Sequence, residues 1–155
     1  MEDYSLEVEP KLQSLEESAE ALQEAASLVS RYSWGEDYPL PPLEEIERAD
    51  HRVGVFVDGK LIAFASIGHG FSPDGIDDDA LWLAHVVVAP PYRERGIFQK
   101  LYDKLMTYAQ AKDERILSCT DNSIMEDFFL THGWKKIRET LAQAGDPCDV
   151  FEYQR

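Results

Sequence analysis

The segment Val88-Ala89-Pro90-Pro91-Tyr92-Arg93-Glu94-Arg95-Gly96-Ile97-Phe98 decides how this sequence is interpreted. It follows an apolar run, Leu81 to Val88, that predicts a strand covered on both faces, and it ends where a helical pattern begins. The first amides of a helix have no intrahelical acceptor, and a glycine beside them lets the backbone approach a ligand closely. Together with the two arginines, these amides are suited to bind a pyrophosphate group; the alternative is a solvated helix cap.

The charge of the chain is strongly negative and unevenly distributed. The 155 residues include 30 acidic and 15 basic side chains, and residues 1–50 hold 14 of the acidic groups against three basic ones. Affinity for a phosphate backbone depends on lysine and arginine, so we expect no nucleic-acid partner. The acidic end favours a cationic partner; acidic helix faces that simply meet solvent are the alternative.

Length and composition predict one soluble domain covering residues 1–155. A hydrophobic fraction of 44% is enough for a single core at this length. The two cysteines, Cys119 and Cys148, do not form the pattern of a disulfide framework. Neither the N-terminus nor any apolar run is typical of a signal peptide or a membrane span, so we expect a cytoplasmic location and no membrane partner.

The first half of the chain alternates helical and strand patterns. A weak alternation from Tyr4 to Val8 predicts a strand, and apolar residues three and four apart predict a helix from Pro10 to Val29. A short helix is expected over Leu43–Ala49. Two strands, Val53–Val57 and Leu61–Ile67, are joined by Asp58-Gly59, a pair that favours a tight hairpin turn.

The second half predicts a long helix, two short elements and a final pair of strands. It begins with a loop in which Asp77, Asp78 and Asp79 are expected to form a solvated turn. The elements expected after this loop are a strand over Leu81–Val88, a helix from Ile97 to Tyr108, a strand over Ile116–Cys119, a helix over Ser123–Thr131 and strands over Trp134–Leu141 and Cys148–Tyr153. Gly133 is expected to end the last helix.

The segment ending at Phe98 resembles motif A of the GNAT superfamily of acyl-CoA-dependent N-acyltransferases. In that motif a strand ending in Val-x-Pro leads into Arg/Gln-x-x-Gly-x-Gly/Ala, and here Val88-Ala89-Pro90 leads into Arg93-Glu94-Arg95-Gly96-Ile97-Phe98. Asn122, Phe128-Phe129 and Gly133-Trp134 are similar to a second family signature. The resemblance spans nearly the full chain and implies an α/β (α+β) fold, with a mixed sheet of about seven strands splayed in a V and about four flanking helices.

The same resemblance implies acetyl-CoA as co-substrate, bound in the V without a metal ion. By this analogy the backbone of Val86, Val87 and Val88 pairs with the pantetheine amides, and the amides from Arg93 to Phe98 hold the pyrophosphate. Asn122 bonds the pantetheine arm, and Phe129 borders it. A homodimer is left open, because the terminal strands of such folds often pair between subunits.

Two residues depart from the family pattern. Phe98 stands where glycine or alanine is usual, so its ring must point away from the phosphates or the loop must shift. Phe129 stands where many members carry a tyrosine that protonates the departing thiolate. Phenylalanine has no proton to give, so another donor is needed.

Transfer to an amine requires that the amine first lose a proton. A lysine-like amine has a pKa near ~10.4, so freeing its lone pair at pH 7 costs about 4–5 kcal/mol. His85 is a candidate base because histidine titrates near neutral pH; a hydrogen-bonded structural histidine or a water chain is the alternative. Trp82, where some relatives carry a glutamate base, cannot take this role.

Cys119, Ser123 or a water are the candidates for protonating the thiolate. Cys119 falls at the end of a strand that borders the expected cleft, and its alternative role is that of a small buried hydrophobic residue.

The amine acceptor is expected opposite CoA, against a loop that holds Trp34, Glu36, Asp37 and Tyr38. Aromatic and acidic side chains together suit a cation, although a plain surface loop has the same composition.

Two functions of different classes fit these residues. The first is an acetyl-CoA-dependent N-acetyltransferase acting on a cationic small molecule or on a protein or peptide amino group. The second is a catalytically weak or inactive module that binds acyl-CoA as a sensor or scaffold, which the phenylalanines at positions 98 and 129 favour. Turnover with any amine separates the two.

Overall fold

The computed structural model describes residues 10–15, 18–34, 42–141 and 145–155. These residues form seven strands and four α-helices: β1 (Lys11–Ser14), α1 (Ala19–Val29), α2 (Pro42–Arg48), β2 (His51–Val57), β3 (Lys60–Gly68), β4 (Leu81–Val88), α3 (Ile97–Gln110), β5 (Ile116–Thr120), α4 (Ser123–Thr131), β6 (Trp134–Leu141) and β7 (Pro147–Tyr153). A π-helical turn, Ser30–Trp34, prolongs α1, and a 3₁₀ turn, Pro90–Tyr92, follows β4. Within these ranges, no helix is long and apolar enough to cross a membrane.

All seven strands belong to one mixed sheet in the order β1-β2-β3-β4-β5-β7-β6. Neighbouring strands are antiparallel except β4 and β5, which are parallel. Parallel neighbours cannot be joined by a tight turn, so the chain crosses back through α3 between them. The predicted α/β fold with a seven-stranded mixed sheet is confirmed.

The N-terminal helix is shorter than its apolar spacing suggests. The prediction of one helix from Pro10 to Val29 is wrong for its first part, because Lys11–Ser14 is β1, antiparallel to β2. Helix α1 begins after Ser18, whose side chain accepts a hydrogen bond from the amide of Ala21 at 3.1 Å. Pairing with β2 decides between strand and helix here. The predicted strand Tyr4–Val8 lies outside the described residues.

The other predicted elements agree closely with the structure. The hairpin of β2 and β3 turns at Asp58-Gly59, where both residues have a positive φ, 52° and 78°. Helix α4 and strand β6 have the bounds read from the sequence. These segments carry strong local signals, either a turn pair that tolerates positive φ or a glycine such as Gly133 that ends a helix.

The sheet is covered on both faces. On one face, here called the α3 face, α3 and α4 pack on alternate strand residues such as Ala63 and Leu83. On the opposite α1 face, α1 and α2 cover the neighbours Phe64 and Val87. The loop between β3 and β4, residues 69–80, continues the cover of this second face over Trp82 and its neighbours.

Two arginines hold the aspartate-rich loop against the sheet. Arg138 on β6 donates to both carboxylate oxygens of Asp74, at 3.0 and 2.9 Å, and to Asp77 at 3.1 Å. Arg115 donates to the other oxygen of Asp77 at 2.6 Å and pairs with Glu152. The predicted turn is present, and Asp78 and Asp79 in it are exposed. Asp77 differs from the expectation, because its side chain is partly buried and both of its oxygens are paired with arginines of the protein.

Candidate active site

The parallel strands β4 and β5 pair only at their beginnings. The described chain shows three pairs of Cα partners between them: Leu81 with Ile116, Trp82 with Leu117, and Leu83 with Ser118. The Ser118 hydroxyl donates to the Leu83 carbonyl at 2.8 Å and marks the last contact of this ladder. From Ala84 to Val88, β4 pairs with β3 and no longer with β5. The sheet therefore opens in a V along the edge of β4.

A β-bulge lies at the start of this opening. Opposite β3, Ala84 pairs with Ser66 and Val87 with Phe64, so β4 has one residue more than its partner. His85, within the bulge, has a φ of 57°, an uncommon value for a residue other than glycine. Bulges re-aim a side chain relative to the regular strand alternation. Here the bulge directs His85 toward the α1 face.

The imidazole of His85 is enclosed and hydrogen-bonded at both nitrogens. Its Nε2 lies 2.9 Å from Glu45 Oε2, and its Nδ1 lies 2.5 Å from the hydroxyl of Ser66. The edge of the ring packs against Phe71 with centroids 5.0 Å apart. The His85 side chain is 0% exposed and that of Glu45 is 14% exposed. A ligand on the α1 face can thus approach the carboxylate but not the ring.

Glu45 and Ser66 were not identified from the sequence. They lie 40 and 19 residues from His85 along the chain, and only the sheet register and the packing of α2 bring them together. The sequence signal for Glu45 is its place in an acidic helix turn beside Glu44, and such pairs are common on solvated helices. Ser66 gives no signal, because it is one polar residue in an apolar strand.

The loop from Arg93 to Phe98 is a turn that leads directly into α3. Glu94 and Gly96 both have positive φ, 61° and 75°, and α3 starts directly after them. The first bond between a helical amide and an earlier carbonyl runs from Lys100 to Gly96 at 3.4 Å, so the preceding amides of the turn have no intrahelical acceptor. Among the described residues other than its two chain neighbours, no atom lies within 4 Å of a Cβ built on Gly96, so the backbone is open on this side.

Arg93 also has a structural role in this loop. Its Nε donates to the carbonyl of Val88 at 2.8 Å and fastens the loop to the end of β4. Both Arg93 and Arg95 are exposed, as is Glu94 between them. The amides at the start of α3 together with these two guanidinium groups form a cationic patch beside the V, on a chain that is acidic as a whole.

The ring of Phe98 turns away from the amides at the start of α3. It packs edge-on against Phe128 of α4, with centroids 4.7 Å apart, and lies 6.1 Å from the ring of Tyr102. Tyr102 in turn accepts a hydrogen bond from the Trp134 indole at 2.8 Å. The ring therefore packs between α3 and α4, and its position relative to bound phosphates stays a prediction.

Asn122 caps helix α4. Its side-chain oxygen accepts hydrogen bonds from the amides of Ile124 at 2.8 Å and Met125 at 3.4 Å. This fixes the carbonyl half of the side chain, while the NH₂ half is not part of the cap. The predicted bond from Asn122 to a pantetheine arm therefore concerns the NH₂ group and stays a prediction.

The residues considered near the departing thiolate differ in exposure. Phe129 is 1% exposed and packs on Trp134 and Phe151, with centroids 4.7 and 5.4 Å away. A hydrogen bond to Cys148, followed by burial, raises the pKa of the Cys119 thiol well above its usual range. A thiol that holds its proton so firmly is a poor donor at neutral pH. Ser123 is exposed in the first turn of α4.

The predicted acceptor loop is only partly described. The backbone of Trp34 closes the π-helical turn after α1, and this turn packs near β4. Glu36, Asp37 and Tyr38 lie outside the described residues. The proposed aromatic and acidic cradle stays a prediction.

Comparison with known proteins identifies the family. Residues 15–134 match the sequence profile of the Acetyltransferase (GNAT) family. The chain belongs to the GNAT acetyltransferases. This match contains the V, the loop from Arg93 to Phe98 and the Asn122 cap. No curated protein matches the sequence.

Solved GNAT structures share the whole fold at low identity. An acyl-CoA N-acyltransferase from Pseudomonas aeruginosa has a TM-score of 0.73 at 13% identity, covering 95% of this chain and 99% of its own. The ribosomal-protein-S18-alanine N-acetyltransferase from Escherichia coli has a TM-score of 0.70 at 16% identity, with coverages of 94% and 93%. An aminoglycoside 6'-N-acetyltransferase complexed with coenzyme A has a TM-score of 0.70 at 15% identity. The match covers 92% of this chain and 95% of that enzyme's chain.

Proposed function

We propose that this protein transfers an acetyl group from acetyl-CoA to a primary amine by direct attack in a ternary complex. The amine belongs to a cationic small molecule or to a protein or peptide. The observation that carries the proposal is the opening of the sheet between β4 and β5, directly beside the open amides at the start of α3. Acetyl-CoA is an extended thioester with an anionic head group. Its extended arm suits the open edge of a strand, and its head group suits the cationic patch at one end of that edge.

The chain's own groups have separate tasks in this proposal. The backbone of Val86 to Val88 lines the edge of the V and binds the amides of the pantetheine arm. The Arg93 amide donates to the carbonyl of Pro90 at 3.2 Å, so the pyrophosphate is held by the amides after it, up to Phe98. The NH₂ group of Asn122 binds the arm from the α4 side. These contacts fix the thioester carbonyl at the opening, where an amine from the α1 face attacks it.

The attack forms the C–N bond and breaks the C–S bond. One proton leaves the ammonium before the attack. A second proton leaves the nitrogen as the thiolate departs, and the thiolate sulfur is then protonated. Phe129 cannot supply that proton, and the firmly held proton of Cys119 does not favour it as the donor. Ser123 or a water is the proposed donor, and a thiolate is a tolerable leaving group because thiols titrate near ~8.5.

Release of free thiol tests the proposed activity. The purified protein is incubated with acetyl-CoA and a panel of polyamines, aminoglycosides, amino acids and peptides, and thiol formation is followed with time. We expect at least one amine to raise thiol release above the blank, and acetyl-CoA alone to raise the melting temperature. If no amine does so and no thermal shift is seen, the proposed function is wrong.

The burial of Phe129 favours a second candidate, an acyl-CoA-binding sensor or scaffold. With this ring in the core, the described site lacks the tyrosine donor found in many family members. This candidate predicts a thermal shift with acetyl-CoA and no turnover with any amine. Turnover that is lost when site residues are replaced excludes it.

Asn122 variants separate helix capping from ligand binding. Asn122→Asp keeps the side-chain oxygen that caps α4 but replaces the NH₂ donor with a second acceptor, so we expect an unchanged melting temperature and a KM for acetyl-CoA raised about 3- to 10-fold. Asn122→Ala loses both roles, and we expect it also to destabilise the fold by about 1 kcal/mol. An aspartate variant with an unchanged KM means that Asn122 is a cap only. Steady-state kinetics and thermal melts measure both effects.

A further inference from the structure

We propose that Glu45 on α2 is the catalytic residue that accepts the proton of the incoming ammonium, and that His85 and Ser66 position its carboxylate. This inference rests on the proposed acetyltransferase function and adds to it the group that meets the acceptor. The three side chains come from α2, β4 and β3, and they form one hydrogen-bonded row, with Ser66 Oγ 2.5 Å from His85 Nδ1 and His85 Nε2 2.9 Å from Glu45 Oε2.

The exposure of the row decreases toward the sheet. The Glu45 side chain is 14% exposed and that of His85 is 0% exposed, and Ser66 is fully buried. Only the carboxylate at the end of the row reaches the surface of the α1 face. An amine that approaches from this face therefore meets Glu45 first, and it has no direct path to the imidazole.

The row is anchored at the point where the V opens. His85 is the second residue beyond Leu83, the last residue of β4 that pairs with β5. Its bulge directs it toward the α1 face, opposite the α3 face. The pyrophosphate site proposed above lies at the start of α3. A thioester bound along the V thus has Glu45 on the far side of the sheet, where a nucleophile enters.

The hydrogen bonds orient the side chain of Glu45. The Ser66 hydroxyl lies 3.3 Å from the carbonyl of Ala84 as well as 2.5 Å from His85 Nδ1, so it satisfies the ring nitrogen in either tautomer. When Nε2 carries the hydrogen, it donates to one oxygen of Glu45. The other carboxylate oxygen is the one proposed to meet the ammonium.

Among the described residues, two arginines lie near this row. On the loop from residue 69 to 80, Phe71 packs edge-on against the His85 ring, and the Arg48 guanidinium lies over the same phenyl ring, 5.6 Å from its centroid. Arg52 of β2 donates to carbonyls at the end of α2, including that of Ile46 at 2.9 Å, and so holds the helix that carries Glu45. In the part of the chain that the structure describes, Glu45 forms its ion pair with His85.

The proton balance of the step is complete. The ammonium N–H bond breaks and its proton moves to the ligand-facing oxygen of Glu45. The freed lone pair attacks the thioester carbonyl carbon, and the second nitrogen proton passes to the departing thiolate. Glu45 then returns its proton to solvent, so one proton is released for each ammonium converted to an amide.

The test compares Glu45→Gln with Glu44→Gln, a matched control in the same helix turn with the same loss of charge. For an amine of lysine-like basicity we expect Glu45→Gln to lower kcat about 100-fold, and Glu44→Gln to change it less than twofold. Glu45→Asp is expected to recover part of the loss. Calorimetry with acetyl-CoA is expected to give the same Kd for all variants, because Glu45 does not touch this substrate.

The basicity of the acceptor distinguishes a proton acceptor from a structural residue. Hydroxylamine is already neutral at pH 7 and needs no base, so Glu45→Gln is expected to lose at most a few-fold in rate with it while losing about 100-fold with a lysine-like amine. Equal losses with both acceptors, or Glu45→Gln as active as Glu44→Gln, overturn the role of Glu45 and leave the acetyltransferase function intact. Absence of turnover in the unmodified protein overturns both.

Discussion

Replacement of Gly96 by aspartate is expected to raise the Kd for acetyl-CoA about 30-fold, which corresponds to ~2 kcal/mol of lost binding energy. Gly96 has a φ of 75°, and apart from its two chain neighbours none of the described residues has an atom within 4 Å of a built Cβ, so a side chain there enters the space proposed for the pyrophosphate. A carboxylate at that point repels the phosphates across a short distance. Isothermal calorimetry with acetyl-CoA measures the change.

Gly59 provides a matched control for this variant. It has a nearly identical φ of 78° in the hairpin turn, and its built Cβ is equally open toward the described part of the chain, its two chain neighbours aside. Both Gly96→Asp and Gly59→Asp therefore place an L-residue in the left-handed region, at a similar cost of about 1 kcal/mol in stability. Only the Gly96 variant is expected to bind acetyl-CoA less tightly. Equal Kd values for the two variants contradict an anion site at the start of α3.

Replacement of Arg138 by methionine is expected to lower the free energy of unfolding at pH 7 by about 2–3 kcal/mol. Arg138 is 19% exposed and bonds Asp74 and Asp77, which are 15% and 23% exposed. Removing the guanidinium leaves both carboxylates partly buried, and Arg115 then faces Asp77 alone. Because these aspartates hold the loop that covers Trp82, the loss affects the packing of the α1 face. Urea denaturation followed by tryptophan fluorescence measures it.

The effect of Arg138 depends on pH in a defined direction. Its guanidinium holds the pKa of Asp74 well below the usual range, so the pair contributes fully above the ordinary carboxyl pKa of ~3.9 and is lost as the pH falls through the lower folded value. The difference between the native protein and Arg138→Met should therefore shrink at roughly pH 3. Lys136→Met on the same strand is the control, because its pairs with Glu139 and Asp149 lie at the surface and its loss should leave the urea midpoint unchanged.

Most elements of the fold were predictable because their signals are local. Asp58-Gly59 tolerates positive φ, Gly133 ends a helix, and the apolar run from Leu81 to Val88 indicates a strand covered on both faces. The first helix was predicted too long. Apolar residues three apart fit a helix, but the same spacing is also found where a strand leads into a helix, as β1 leads into α1 here. Pairing of Lys11–Ser14 with β2 is a long-range effect that periodicity does not contain.

The turn proposed to bind the cofactor was also largely predictable from the sequence. The loop from Arg93 to Phe98 is one continuous segment whose proposed function depends on backbone amides, so its conformation follows from neighbouring residues. The proton-transfer side is different. His85 was recognisable as an isolated polar residue in an apolar strand, but its partners Glu45 and Ser66 were not, since they come from separate elements.

The sequence by itself determined the order of the elements from α1 onward, the turn at the start of α3 and the acidic excess of the N-terminal third. These properties depend on neighbouring residues, and short-range sterics and hydrogen bonding settle them. Only the tertiary structure decided which charges are paired and which reach the surface. Asp77 is neutralised by Arg115 and Arg138, whereas Glu45 faces the α1 side with a histidine behind it. Whether a carboxylate binds a cation depends on its spatial neighbours, which the chain brings together only when the sheet and its covering helices assemble.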